Sequence, residues 1–226
     1  KYGHEASEYI SLVEESLQNA RERIGRAAMP AAPLRRLDAG AIGSVVAGYP
    51  LQLFAPHDER IMDSVEWLLE NSFLQGGFFQ DMVHSGINAY LTLHIAQILL
   101  RAGDERYEKI VGNVAEFATT TGQWPEAIHP WTRGGCMGDG QHVWAAAEWI
   151  MIMRNSLVLE EVQNGRLILG AGIARPWLSG KGPLTIGPTP TAWGPVHATF
   201  SPLPGGRVRV EWRGSWFHDP PDMEIR

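Results

Sequence analysis

Residues 123–142 read Gln123-Trp124-Pro125-Glu126-Ala127-Ile128-His129-Pro130-Trp131-Thr132-Arg133-Gly134-Gly135-Cys136-Met137-Gly138-Asp139-Gly140-Gln141-His142. No helical or strand period runs through this stretch. It separates a helix that stops by Gly122 from one that begins near Gly140. A segment this long without regular structure inside a compact domain is either functional or disordered. Its Trp, Pro and Gly content and low charge are not a disordered composition. The fold therefore reads as helices on both sides of a chemically loaded loop.

Upstream, apolar residues recur at the helical period. Tyr9, Leu12, Val13, Leu17, Ala20 and Ile24 define an amphipathic helix over about 7–28, ended by Pro30 and Pro33. Leu37 to Phe54 is Gly-rich and apolar and reads as a loop with one short helix. Asp58 caps a helix to about Asn71, with Ile61, Val65, Leu68 and Leu69 inward. Gly76-Gly77 opens a loop that lasts to Gly86. Ile87, Tyr90, Leu91, Ile95, Ile98 and Leu99 share one face of the next helix, and Gly103 fits its C′ position. Asp104 caps a further helix with Tyr107, Ile110, Val111, Val114 and Ala118 inward. Downstream, Val143 to Met153 is apolar nearly all round, which reads as a helix buried on most sides.

Near Glu160 the composition changes to Gly, Pro and short β-forming runs. Gln163-Asn164-Gly165 between two apolar runs is a hairpin turn. Leu184 to Ile186, Val196 to Phe200 and Val208 to Trp212 read as further strands. The division is 1–158, helical, and 159–226, part of an antiparallel β-sandwich.

Composition narrows the function. The chain has 226 residues, 44% of them hydrophobic, and a net charge of −6. That argues against a broad basic surface for nucleic acid or anionic membrane. The longest apolar run, Ala89 to Leu100, is too short for a membrane span. One Cys excludes an internal disulfide. No apolar leader is visible and the first residue is Lys1 rather than Met, so a start inside a longer protein is expected; location stays open, with the cytoplasm favoured.

Trp124 and Trp131 offer indole faces for stacking on sugar rings, and a carboxylate beside them can activate water or protonate a leaving oxygen. Glu126 is the candidate for that carboxylate. The alternative is a rigid, self-packed loop whose tryptophans belong to the core. In a second polar loop, Gln75 to His84, Asp81 and His84 can face the same cavity; alternatively Asp81 caps a helix and His84 is solvated. Gly135 to Gly140 has glycine-loop spacing, but Gln141 stands where a phosphate loop needs Lys. His129, Cys136 and His142 match no standard zinc spacing, and no cofactor is implied. Cys136 with His142 as nucleophile and base is a third, weaker chemistry.

The helical part resembles the C-terminal portion of six-hairpin glycosidases, the (α/α)6-toroid clan of glucoamylases, trehalases and α-L-rhamnosidases. The residues that carry this are Ala39-Gly40-Ala41-Ile42-Gly43, Tyr49-Pro50-Leu51, Ser85-Gly86-Ile87-Asn88 and, above all, Trp124-Pro125-Glu126 followed by Gly138 to Glu148. The segment Leu167 to Trp177 resembles the strand-rich cap of rhamnosidase-like members.

The resemblance implies a mainly α fold, the C-terminal part of an (α/α)6 toroid followed by a small antiparallel β-sandwich segment. It implies a glycoside hydrolase with Glu126 as general base and an oligosaccharide or glycoside as substrate. Trp124, Trp131, His129, Arg133, Asp139, His142 and His84 are the expected sugar-binding set. The alternative is a non-catalytic glycan-binding or scaffolding protein. The five helices read here are fewer than a complete ring needs, and the usual general acid lies in the missing half, for which Asp81 substitutes. Association with that N-terminal half, or with another copy of the chain, is expected to cover exposed apolar flanks.

Overall fold

The computed structural model describes residues 2–82, 85–138, 140–179 and 182–226. Helix accounts for 42% of residues and strand for 22%, and the strands form three sheets. The architecture is mixed α and β. This corrects the expectation of a mainly α toroid portion with an appended antiparallel sandwich.

The helices are α1 (Tyr2–Ile24), a 3-10 helix (Ala39–Ala47), α2 (Glu59–Asn71), α3 (Ala89–Ala102), α4 (Arg106–Phe117), α5 (Val143–Leu157) and the single turn α6 (Arg175–Leu178). Local signals positioned most of them. Asp58 accepts a hydrogen bond from the Arg60 N–H and starts α2. Asn88 Oδ1 accepts from the Leu91 N–H and starts α3. Gly103, at φ +70°, ends α3, and the Gly103 and Asp104 N–H groups close back on Leu100 and Leu99. A left-handed residue at this place satisfies the last carbonyls of a helix.

Burial departs from expectation in two helices. The helix enclosed on nearly all sides is α3: Leu93, Ile95, Leu99 and Leu100 are fully buried. It packs against both α4 and α5. In contrast, α5 buries only the face carrying Ala145, Glu148, Ile152 and Asn155. Val143, Trp144 and Ile150 are at least 65% exposed. On α1, Tyr9, Ile10, Leu12 and Val13 are exposed too, and only Ala20 is buried.

The sheet in the helical part was not anticipated. Strands β1 (Phe73–Leu74), β2 (Gly77–Asp81), β3 (Ser85–Ile87), β4 (Ala127–Ile128) and β5 (Gly135–Met137) lie side by side in that order. Both segments read as irregular loops therefore contribute strands to one sheet. The β1–β2 turn is Gln75-Gly76, with φ of 54° and 87°. Two successive positive φ values form a tight hairpin turn matching the strand twist. A Cβ on Gly76 would lie 2.4 Å from Asn113 Nδ2, and that same amide donates to the Gly76 carbonyl.

In the tail, β6 (Val158–Glu161) and β7 (Arg166–Leu169) form the expected hairpin around Asn164-Gly165. Strands β8 (Leu184–Thr189), β9 (Val196–Leu203) and β10 (Arg207–Gly214) form an antiparallel sheet. The last strand, β11 (Asp222–Ile225), pairs parallel to β7, so the tail is not purely antiparallel. Val158, Leu167 and Leu169 share one apolar core with Val196, Ala198 and Phe200. No helix among the described residues is long and apolar enough to cross a membrane.

Candidate functional site

Residues 127–137 form a β-hairpin, β4–β5, with its tip at 129–134. The tip is self-bonded. The His129 N–H donates to the Gly134 carbonyl and the Arg133 N–H to the His129 carbonyl, at 2.8 and 2.9 Å. His129 Nδ1 accepts from the backbone N–H groups of Trp131 and Thr132. His129 is thus a turn-former whose Nδ1 is already occupied. Arg133 takes a positive φ of 62° and lays its guanidinium over the Phe117 ring, 4.7 Å from the centroid. That is cation–π distance. Trp131 projects from the tip and is 67% exposed.

Glu126 stands at the base of this hairpin. Ala127 pairs with Met137, which brings Glu126 opposite Gly138. A Cβ on Gly138 would lie 3.1 Å from Glu126 Cβ and 3.7 Å from its Oε2. Gly138 has φ +71°, so glycine both allows the turn and leaves the flank of the carboxylate open.

Trp124 is a core residue. It is 6% exposed, its Nε1–H donates to the Val114 carbonyl at 2.8 Å, and its ring packs on Trp149. Its indole is therefore not a sugar-stacking wall at the surface, which corrects that expectation. An aromatic cluster lies instead at the start of α5. The His142 N–H donates to the Trp124 carbonyl, bringing the start of α5 beside Pro125-Glu126. There the rings of Tyr90, His142 and Trp144 cluster at centroid separations of 5.5 to 6.4 Å. Trp144 is 65% exposed. Among the described residues, His142 Nδ1 is buried without a hydrogen-bond partner.

Below Tyr90 lies a buried polar network that sequence patterning did not reveal. His94 packs against the Tyr90 ring at 4.3 Å, and its Nε2 is 3.5 Å from Glu148 Oε2. Gln97 Nε2 donates to Glu148 Oε1 at 2.8 Å and lies 3.2 Å from the Tyr49 hydroxyl. Asn155 Nδ2 donates to Gln97 Oε1. Burial first, and then the Glu148 charge, push the pKa of the Tyr49 and Tyr90 phenols up. Both phenols are thereby held in the neutral, hydrogen-bond-donating form. Glu148 sits in the middle of a helix that is apolar nearly all round; a charge at such a position was the available signal.

Asp81 closes β2 and pairs in register with Ser85. Cys136 Sγ reaches two carbonyl oxygens, Ser85 O at 3.3 Å and Ala127 O at 3.5 Å. Ala127 follows Glu126 in the chain. Cys136 therefore bridges β3 and β4, and β3 separates the strand that ends in Asp81 from the strand that follows Glu126. The Cys136 thiol is engaged by backbone carbonyls, which is no arrangement for a nucleophile aimed at substrate. His84 and Asp139 lie outside the described residues. Among the described residues, no group of three or more His, Cys, Asp or Glu is placed to hold a metal ion.

Comparison with known protein families, with characterised proteins and with solved structures finds no match to this chain.

Proposed function

We propose that this chain is carbohydrate-active and hydrolyses glycosidic bonds, with Glu126 as the base and Asp81 as the acid. Glu126 takes a proton from water, and the water oxygen bonds to the anomeric carbon. The bond to the leaving oxygen breaks, and Asp81 supplies that oxygen with a proton. The carrying observation is the sheet, in which one strand, β3, lies between the strand ending in Asp81 and the strand that follows Glu126. The Tyr90–His142–Trp144 cluster beside Glu126 supplies aromatic surface for a sugar ring. The motif resemblance over Trp124-Pro125-Glu126 and Gly138 to Glu148 supports the same chemistry.

The test is a panel of aryl glycosides and unmodified oligosaccharides, with wild type, Glu126→Gln and Asp81→Asn. Hydrolysis that disappears in Glu126→Gln while sugar binding persists supports the reading. Undiminished turnover in that variant removes Glu126 from the mechanism. Binding without turnover in the wild type supports the alternative, a glycan-binding protein.

The exposed apolar residues of α1 and α5 support a second proposal, association with another copy or with a further polypeptide. Neither nucleic acid nor membrane is a proposed partner.

A further inference from the structure

We propose that the cleft between α2 and the β1–β2 hairpin holds the leaving-group sugar, a neutral hydroxylated ring. This rests on the assignment of Asp81 as the acid. An acid that protonates the leaving oxygen must face the leaving group, so the space in front of Asp81 is where that group sits.

That space is built as a ligand site. A cavity of about 420 Å³ is lined by Asp81 together with Trp67, Phe73, Phe79, Asp38 and Arg36. The volume is within the usual range for small-molecule sites, and aromatic walls with a few polar groups are their usual lining. Phe79 and Asp81 point to the same side of β2 because they are two residues apart. Trp67 comes from α2, whose Ile61, Val65 and Leu68 face the core, and it remains partly exposed. Trp67, Phe73 and Phe79 pack against the main core and are only partly buried, so what remains of their surface forms the apolar part of the lining.

The polar groups select the ligand's charge. Asp38 is already committed: its Oδ1 accepts from the Gly40 N–H and its Oδ2 from Arg35 Nε at 2.7 Å. Asp81 is exposed, and among the described residues nothing is bonded to its carboxylate. Asn71 also lines the cavity; its Nδ2 donates to the Trp67 carbonyl, leaving its amide oxygen as an acceptor. Two carboxylates, Asp38 and Asp81, are matched by two guanidiniums, Arg35 and Arg36, both of which act on Asp38. With the charges balanced, the cavity offers no net positive charge to hold an acidic sugar or a phosphate, whereas hydroxyl groups would meet acceptors and a donor.

The experiment is an NMR titration of the whole chain with neutral disaccharides and, as the charged counterpart, glucuronate. The Trp67 indole N–H signal is assigned through Trp67→Phe and the Trp144 signal through Trp144→Phe. A saturable shift of the Trp67 signal with disaccharide, smaller with glucuronate, is expected. Asp81→Asn and Trp67→Ala should each weaken that binding roughly tenfold, the scale of one lost stacking or charged contact. A Trp67 signal unmoved by every sugar overturns the proposal, even if Glu126→Gln abolishes hydrolysis and the Trp144 signal moves. A Trp67 shift in a protein whose turnover is indifferent to Glu126→Gln keeps the cleft as a sugar site and overturns the assignment of Glu126 as the base. Stronger binding of glucuronate than of disaccharide overturns the assignment of a neutral ring.

Discussion

Arg101 grips Glu161 through two hydrogen bonds, Nε to Oε1 at 2.6 Å and Nη2 to Oε2 at 2.8 Å, with side chains only 3% and 1% exposed. Arg101 Nη1 also donates to the carbonyls of Gly48 and Phe54. One guanidinium thus ties α3, the segment after the 3-10 helix and β6 together, across the division drawn at 158/159. Removing either partner of such a pair leaves a buried charge uncompensated, typically costing about 3–5 kcal/mol. Glu161→Gln and Arg101→Met should each lower the denaturation free energy by about that much, and the double variant by clearly less than their sum. Additive costs in chemical denaturation would show that the two groups are not coupled.

Glu126→Gln should lower kcat for glycoside hydrolysis by about 10²–10⁴, the usual worth of a positioned proton acceptor. Oligosaccharide affinity should change little, because the amide keeps the shape of the carboxylate. Steady-state kinetics beside calorimetric binding separates the two effects.

Gly138→Ala should impair the same site without touching the carboxylate. The backbone there is left-handed, and the new Cβ would press on Glu126 Cβ at 3.1 Å. A strained residue of this kind costs about 1–3 kcal/mol. Loss of activity with retained fold, read by near-UV circular dichroism, is the expected result; normal kinetics would mean that the Glu126 flank has room to spare.

Trp124 and Trp131 should separate cleanly. Trp124→Phe strands the Val114 carbonyl in the core, at about 1–3 kcal/mol. Trp131→Ala alters an exposed tip and should shift stability by no more than about 0.5 kcal/mol. Urea midpoints for the two variants test this directly.

The acid limb of stability should depend on Asp63. The Arg26 hydrogen bond opposes burial and, with the Ala28 N–H, holds the Asp63 carboxyl below the usual carboxylate range. Its contribution is therefore present above about pH 4, where the unfolded carboxyl ionises, and is lost as pH falls through the lower folded value. Asp58 and Asp104, held down by Arg60 and Arg106, act in the same direction. Asp63→Asn should flatten the decline of stability below pH 4, which denaturation midpoints at pH 2–7 will show.

Helices α2, α3 and α4 were legible because their signals are local. Asp58 and Gly103 make the bonds expected of a cap and a C′ residue, and Ile61, Val65, Leu68, Ile110 and Val114 face inward as the period requires. The strands of the five-stranded sheet were not legible, since two to five residues carry too little alternation to read. The two polar loops were found as candidates facing one cavity, but their pairing as strands of one sheet was not.

The sequence by itself determined where most helices start and stop, where the tail turns at Asn164-Gly165, and which two loops hold the candidate polar residues. Those features depend on contacts within a few residues along the chain. Only the tertiary structure decided that α3 rather than α5 is enclosed, and that Trp124 is core while Trp144 meets solvent. It also decided that Ser85 and Ala127 meet at Cys136 and that Glu148 lies beneath Tyr90. Burial and strand pairing depend on which distant segment packs opposite, and an apolar residue carries no record of its neighbour.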